Sequence, residues 1–372
     1  MADNILKKRE IKTKKNIPQD AFSNEQLSLF QSFLTNNYAL EEDMSNAVDL
    51  WDNIPRYSIS RKKQEKMRLA GGFLPISTLE FKYRNHQMRV HIRPARIELT
   101  RNGKRTGETM EYYPSAREEI IEHALRKLAV EKESGFFDAN DLRSGCYFTL
   151  YQLRKHLINV GHSLRYDELI EGLNILSLSS IEIEGINFNY EITYTHVNYL
   201  SLLARVKAKD RAIDTEAKWL VQFHPLITAS IQNITYRQFN YKRLMSCRTQ
   251  LSRWLISQLV LKYTQASMLT NFEIRYSTIE RDSALLGNYS RSRDAIAALE
   301  SALEEIKFLG ILNDYKKSEQ RGIRGKLEDV IYTLNPSSTF VVEQKAANRR
   351  RTDASEKGKK TISDATLPTK KT

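Results

Sequence analysis

The chain lacks the features typical of disulfide-bonded, zinc-binding and membrane-spanning proteins. Its 372 residues include only two cysteines, Cys146 and Cys247, without the CxxC or Cys/His spacing of a zinc site. The longest apolar runs are far too short to cross a bilayer, and the first residues do not resemble the apolar core of a signal peptide. We therefore expect a cytoplasmic protein with no disulfide framework, no metal and no contact with a membrane.

The sequence also lacks recognisable catalytic motifs. The stretch GIRGKLED has neither the first glycine at the required spacing nor the hydroxyl of a GxxxxGK[ST] phosphate loop. A DNA-nicking enzyme would need a histidine-hydrophobic-histidine motif beside its tyrosine, whereas four residues separate His86 from His91. No Ser/His/Asp set or pair of carboxylates can be recognised. These absences predict a non-enzymatic protein that needs no cofactor.

The positive charge lies mainly at the two ends of the chain. The net charge is +13, which points to a polyanionic partner. Residues 1–15 carry +4 and residues 345–372 carry +6. The second stretch is polar and has no aromatic residue, so it is predicted to be disordered. Flexible basic arms strengthen binding to phosphates whatever the sequence; the alternative is a solvated tail that only aids solubility.

The stretch from residue 277 to residue 334 has the order of signals of a winged helix. In STIERDSALLG, Ser277 and Glu280 predict a capping box and Gly287 a helix stop. After a tight turn, SRSRDAIAALESALEEIKFLG predicts a helix capped by a serine, Ser290 or Ser292. Its apolar stripe consists of Ile296, Leu299, Leu303 and Ile306. The segments ILNDY and DVIYTL then predict a β-hairpin.

The same order occurs earlier in the chain. Thr149 and Gln152 predict a capping box for LYQLRKHLINV, and Ser163 can cap the next helix, LRYDELIEGLNIL. SIEIEG and FNYEITY alternate as a hairpin, and further strands are predicted between residues 79 and 99. The predicted fold class is α+β, with two tandem winged-helix domains and disordered basic N- and C-terminal tails. Residues 1–70 are predicted to be a flexible N-terminal region that contains the stretch QLSLF. Residues 71–225 are expected to form the first winged-helix domain, residues 226–336 the second, and residues 337–372 a disordered basic tail.

These residues resemble plasmid replication initiators with two winged helices, most closely the TrfA type. The resemblance covers roughly residues 75 to 335 and is strongest in the stretches GCYFTLYQLRKHLINVGHSLRYDELIEGLNIL, YKRLMSCRTQLSRWLI and LLGNYSRSRDAIAALESALEEIKFLGIL. It implies a bacterial protein that binds repeated origin sites, called iterons, melts adjacent DNA and recruits host replication proteins. The implied partners are double- and single-stranded origin DNA, the polymerase sliding clamp, the replicative helicase and the host initiator, with self-association between monomer and dimer.

The stretch QLSLF near the N-terminus is similar to the pentapeptide that docks bacterial proteins on the sliding clamp, and the resemblance implies such a segment ahead of the folded domains. Its residues are Gln26, Leu27, Ser28, Leu29 and Phe30. Leu29 and Phe30 would be the apolar anchors and Gln26 the polar contact that orients them. The alternative is a helix capped by Ser23, with Leu27, Phe30 and Leu34 buried against the body.

Candidate DNA contacts follow from the way in which a recognition helix lies in the major groove with its N-terminal residues toward the base edges. The helix starts predicted to contact DNA are Ser290, Arg291, Ser292 and Arg293 in the second domain and Ser163, Arg165 and Tyr166 in the first. The loop KKSEQRGIRGK of the second wing contains one acid, Glu319, and five basic residues. It is predicted to bind phosphates through Lys316, Lys317, Arg321, Arg324 and Lys326. The first hairpin carries Glu182, Glu184 and Glu191, so we expect it to avoid DNA and to serve packing or self-association.

Two other functions remain open from the sequence alone. A winged-helix transcriptional regulator would use the same residues, and initiators of this kind also repress their own genes. A rolling-circle nicking enzyme is the alternative from another class, and a covalent or nicked product on origin DNA would identify it.

Overall fold

The computed structural model describes residues 44–101, 104–130, 134–138, 140–186, 194–205, 215 and 217–365. Over these ranges the chain has an α+β fold with two winged-helix units, which confirms the predicted fold class. Buried apolar side chains of both units form one connected cluster. Within the described ranges, no helix combines the length and apolarity that a membrane span requires.

A short N-terminal segment precedes the first winged helix. It comprises β1 (Met44–Val48), α1 (Asp49–Asn53) and α2 (Arg61–Met67). Strand β1 pairs antiparallel with a strand far along the chain, from Met44 opposite Asn240 to Val48 opposite Tyr236. The side chain of Trp51 in α1 is fully buried. The prediction of a flexible region up to residue 70 is therefore wrong for residues 44–70, while residues 1–43 lie outside the described ranges.

The first unit combines a winged helix with additional strands. Its elements are β2 (Ser77–Tyr83), β3 (His86–Arg93), β4 (Ala95–Arg101), β5 (Lys104–Tyr112), α3 (Ala116–Ala129), β6 (Gly135–Asp138), β7 (Arg143–Thr149), α4 (Leu150–Asn159), α5 (Tyr166–Leu178), β8 (Ser180–Ile186), β9 (Tyr194–Asn198), β10 (Leu200–Arg205) and β11 (Lys218–Phe223). The wing strands β8 and β9 extend an antiparallel sheet of order β2-β3-β8-β9, and a second sheet has the order β10-β11-β7-β6.

The helices of the first unit follow from local sequence signals. The capping box at the start of α4 is confirmed, because the Gln152 amide N–H donates to the Thr149 hydroxyl at 3.1 Å and the Gln152 side chain accepts from the Thr149 N–H at 2.8 Å. Helix α5 lies against α3 at Gly172. A Cβ at this position would lie 2.4 Å from Ile121 Cδ1, so a larger residue here would force the Ile121 side chain to move.

The second unit is a compact winged helix with its own three-stranded sheet. Its elements are α6 (Pro225–Gln232), β12 (Tyr236–Asn240), α7 (Tyr241–Met245), α8 (Gln250–Lys262), β13 (Phe272–Arg275), α9 (Tyr276–Ser283), α10 (Ser292–Phe308), β14 (Leu312–Arg321) and β15 (Leu327–Pro336). The sheet order is β13-β15-β14. Helices α9 and α10 form the helix-turn-helix, and β14 with β15 forms the wing. The domain boundary between residues 225 and 226 stays a prediction.

A C-terminal helix, α11 (Ser338–Ala365), follows the second wing. Its first turns are docked rather than free, because one face buries Phe340, Val341, Gln344 and Ala347. Arg243 binds Glu343 of this helix at 3.0 Å. The prediction of disorder from residue 337 is wrong for the docked residues 338–347, where an apolar stripe precedes the basic stretch. Residues 366–372 lie outside the described ranges.

Four charged side chains are buried between the N-terminal segment and α3. Arg56 binds Glu122 at 2.9 Å and Asp52 at 3.1 Å, and Arg126 binds Asp52 at 2.8 Å. Each of the four is at most 6% exposed. The Tyr57 hydroxyl and the Trp51 indole also donate to Glu122. Burial disfavours the charged form of Glu122, but the two arginines outweigh it and lower the pKa of this carboxyl to about 2.

A second buried ion pair joins the two units. Arg253 on α8 binds Glu119 on α3 at 2.9 Å and donates to the Cys247 carbonyl at 3.1 Å. Gln250 on α8 donates to the Tyr57 carbonyl at 2.9 Å. The N-terminal segment, α3 and α8 are therefore fixed to one another by hydrogen-bonded charges as well as by the apolar core.

We expect that replacing Arg56 by methionine lowers the free energy of unfolding by about 3–5 kcal/mol, because Glu122 would keep a buried charge with one fewer partner. Denaturant unfolding measures this decrease. A matched control is Lys307→Ala, which removes an exposed ion pair with Asp314 and should leave stability nearly unchanged. If both variants unfolded at the same denaturant concentration as the unchanged protein, the buried network would not stabilise the fold.

Candidate nucleic-acid interface

The recognition helix of the second unit has the apolar face that the sequence predicts. Ile296, Leu299, Leu303 and Ile306 of α10 are all buried, which confirms the stripe. Ile279 of α9 is also fully buried in the same connected core. This packing fixes α10 on the unit and leaves its opposite face and its first residues exposed.

The helix boundaries in this motif differ from the sequence prediction. Helix α9 has Arg275 at its N-cap rather than a capping box of Ser277 and Glu280, because Asp329 of β15 accepts from the Ser277 amide at 3.1 Å. The helix ends where Ala284 adopts a left-handed φ of 53°, before Gly287. Arg291 is the N-cap of α10, and neither Ser290 nor Ser292 caps it. At Ser277, a long-range contact to the wing has therefore replaced the local signal.

The start of α10 presents two arginines to the surroundings. Ser290, Arg291, Ser292 and Arg293 are all exposed. The Arg293 side chain is 83% exposed and lies 3.8 Å from Asp294. No side chain caps the first turn of the helix. Positive side chains at the positive end of a helix dipole are unfavourable unless an anion is near, so this start is suited to a DNA phosphate or base edge.

The wing of the second unit carries the predicted cations on its surface. Lys316, Lys317, Arg321, Arg324 and Lys326 are all exposed. Two of them also have acidic partners: Lys317 binds Glu300 of α10 at 2.8 Å and Glu319 at 3.5 Å, and Arg321 binds Glu319 at 2.6 Å. The hydrogen bond to Glu300 raises the pKa of Lys317. Glu319 is the acid that the sequence places in this loop, and Glu300 of the recognition helix is an additional partner from outside it. Lys317 therefore connects the wing to the recognition helix.

The tip of this wing is a closed, hydrogen-bonded turn. The Gly322 amide donates to the Lys326 carbonyl at 2.9 Å, and the Gly325 amide to the Gly322 carbonyl at 3.1 Å. Arg324 adopts a left-handed φ of 63°. Ile323, which the sequence did not single out, is 89% exposed at the tip. The spacing of apolar residues could not identify Ile323 as an exposed apolar side chain, because a loop residue belongs to no helical or strand face.

The recognition helix of the first unit has more of its charge engaged. Arg165 is the N-cap of α5, and the Glu168 carboxylate, not Ser163, accepts from its amide at 2.8 Å. The Arg165 side chain, although 73% exposed, binds Asp167 at 3.0 Å. Tyr166 is half-buried, and the Arg154 guanidinium lies 5.1 Å from its ring centroid. Ser163 is exposed just before the helix. This helix start is therefore less available to an anion than that of α10.

The acidic residues of the first wing face basic residues of the adjacent strand. Glu184 lies 3.7 Å from Arg89 and 3.3 Å from His91, and Glu182 lies 3.6 Å from Arg93. These pairs follow the antiparallel register of β3 and β8. The acids of β8 thus contribute to packing within the sheet. Glu191 lies outside the described residues.

The predicted clamp-binding segment cannot be placed on the structure. The segment from Gln26 to Phe30 lies outside the described residues. Among the residues that the structure describes, no group of three or more His, Cys, Asp or Glu side chains could hold a metal ion.

No protein-family model and no curated protein matches the chain. Among solved structures, the chain is similar to domains 2 and 3 of RctB, at 10% identity over 70% of this chain and 91% of that chain, with a TM-score of 0.43. A second structure of RctB domains 2–3 gives 10% identity, 73% and 94% coverage, and a TM-score of 0.42. The Pi initiator protein in complex with iteron DNA gives 14% identity, 60% and 91% coverage, and a TM-score of 0.40. Likeness at this level identifies no family.

We expect that replacing Arg291 and Arg293 by alanine weakens specific DNA binding by about 1–3 kcal/mol for each side chain that reads a base, and relaxes discrimination between sequences.

The matched change in the wing, Lys316 and Arg324 to alanine, should instead weaken binding to all DNA sequences alike. It should also reduce the slope of log affinity against log salt by about one unit per phosphate contact. Titrations at several salt concentrations measure both effects. An equal decrease in affinity for specific and random DNA in the helix variant would contradict base readout.

Proposed function

We propose that the chain is a non-enzymatic DNA replication initiator that binds repeated origin sequences through its two winged-helix units. The observation that carries this proposal is the pairing, in the second unit, of an exposed basic helix start with an exposed basic wing. A recognition helix that enters the major groove and a wing that follows the backbone need cations at these two places.

The salt bridge between Lys317 and Glu300 supports a single binding surface. It connects the wing to the middle of the recognition helix, so that the two elements keep one orientation. Holding both elements in place before binding reduces the ordering cost of association. The exposed cations of the wing supply sequence-independent affinity, and the first residues of α10 supply the contacts that distinguish bases.

The first unit has a smaller electrostatic role in this proposal. Ser163, Arg165 and Tyr166 lie at the start of its recognition helix, but Arg165 already has acidic partners. We infer that this unit adds shape complementarity and positions the second unit on DNA. Two linked units extend the site over more base pairs than one unit could contact.

The finer parts of the proposal rest on the resemblance to TrfA-type initiators. They are melting of DNA beside the repeats, recruitment of host replication proteins, and a bacterial plasmid as the replicon. A transcriptional regulator would show the same DNA-binding surface, so repression of the chain's own gene is compatible with the proposal.

Footprinting on the DNA that encodes the gene tests the initiator proposal. We expect several protected sites of the same sequence in direct repeat, with hyper-reactive bases in adjacent DNA when strands separate. Protection of a single promoter site would instead favour a regulator. A nicked or covalently attached DNA product in the presence of a divalent metal would contradict the non-enzymatic role.

We further infer that QLSLF docks on the polymerase sliding clamp, since an initiator must bring the clamp to melted DNA. Replacing Leu29 and Phe30 by alanine should abolish clamp binding while leaving the melting temperature and origin binding nearly unchanged, because apolar anchors that enter a partner's pocket do not support the fold of their own chain. Surface plasmon resonance with immobilised clamp and thermal unfolding measure these effects. A large decrease in stability, as for packed interior residues, or undiminished clamp affinity would contradict this role.

A further inference from the structure

A cationic cleft of about 550 Å³ lies where the two units and both terminal segments meet. Five segments of the chain contribute to it: α1, the turn between β2 and β3, α8, α9 and α11. Its basic side chains are Lys82, Arg84, Lys262, Arg281 and Arg351. Its acidic side chains are Asp49 and Asp282. Clefts of this size between domains are common ligand sites.

Both carboxylates of the cleft are already engaged by the protein. Asp282 accepts from Arg281 at 2.7 and 3.1 Å and from the Lys82 amide at 3.0 Å. Asp49 pairs with Arg84 and accepts from the Tyr83 hydroxyl at 3.0 Å. Among the described residues, the ion pairs of these two carboxylates involve Arg84, Lys262 and Arg281 and do not include Lys82 or Arg351. The cleft therefore keeps an excess of positive charge.

One cation of the cleft and one beside it have pKa values below their ordinary range, mainly because both are buried. Burial lowers the pKa of Lys262, although Asp282 lies 3.8 Å away. Burial, and then the charge of Arg351, lower the pKa of Arg237 to about 10. An anion in the cleft would offset this repulsion and favour the charged forms.

The position of α9 indicates which anion the cleft would bind. Helix α9 is the first helix of the second helix-turn-helix, and in such motifs the first helix crosses the DNA backbone while the second enters the groove. Thr278 and Arg281 of α9 line the cleft. The opposite wall, with Lys82 and Arg84, belongs to the first unit, so a phosphate held here would contact both units at once.

We propose that this cleft is a phosphate-binding site that holds the DNA backbone between the two winged-helix units. The proposal rests on the proposed function as a DNA-binding protein and extends it to residues outside the recognition helices and the wing. Free phosphorylated molecules share the same chemistry, so the experiment includes them separately.

The test compares two double variants, each of which removes two positive charges. Lys82→Ala with Arg351→Ala changes the cleft, and Lys62→Ala with Lys66→Ala changes the exposed face of α2, outside the cleft. Binding to a duplex of arbitrary sequence is measured at several salt concentrations. We expect the slope of log affinity against log salt to fall by about two units in the cleft variant alone, at about 0.9 for each phosphate contact. Thermal unfolding checks that both variants remain folded.

A second measurement separates the sources of phosphate. Sodium pyrophosphate is added without DNA, and its effect on the melting temperature is compared between the unchanged protein and the cleft variant. Stabilisation of the unchanged protein alone, with no difference in the salt slope, would support the phosphate site and overturn DNA as its source. Equal slopes and equal responses to pyrophosphate in all proteins would overturn the site. The arbitrary duplex makes this result independent of footprinting, so repeated protected sites could be absent while the cleft still binds phosphate.

Discussion

The buried charges of Asp52, Arg56, Glu122 and Arg126 are the constraint on which the arrangement of the two units depends. Two carboxylates and two guanidinium groups balance one another, and each carboxylate accepts from at least one arginine at 3.1 Å or less. Apolar packing tolerates small shifts, whereas a buried charge without its partner is strongly destabilising. The network thus favours one position of the N-terminal segment against α3 over nearby alternatives.

The N-terminal segment also contacts the second unit and so fixes the position of that unit. The segment that supplies Asp52 and Arg56 also supplies β1, which pairs with β12, and the Tyr57 carbonyl accepts from Gln250 of α8. The pair of Arg253 and Glu119 adds a direct connection between α8 and α3. Because α8 packs against α10 in the connected core, the recognition helix of the second unit is held at a defined place relative to the first. Spacing between recognition helices determines which arrangement of DNA sites a tandem protein can contact.

The sequence predicted best the features that depend on neighbouring residues. The buried stripe of α10 and the capping box at Thr149 were predictable because their spacings of three and four residues are set by the helix itself. Ser277 was predicted wrongly because Asp329, more than fifty residues away, binds it. Strand β1 was missed for the same reason, since its partner β12 lies in another part of the chain. The cationic cleft could not be predicted either, because its residues come from five separate segments of the chain.

The two wings show how charge can be used differently on the same architecture. In the first, Glu182 and Glu184 face arginines of β3, so the charges cancel within the sheet and present little net field. In the second, the acids Glu300 and Glu319 bind only part of the basic set, and Lys316 on β14 and Arg324 and Lys326 at the turn remain exposed. The position of the cations therefore matters more than the total charge of the chain. A protein whose cations collect on one wing, one helix start and one cleft attracts a polyanion to those places and gives it a defined orientation.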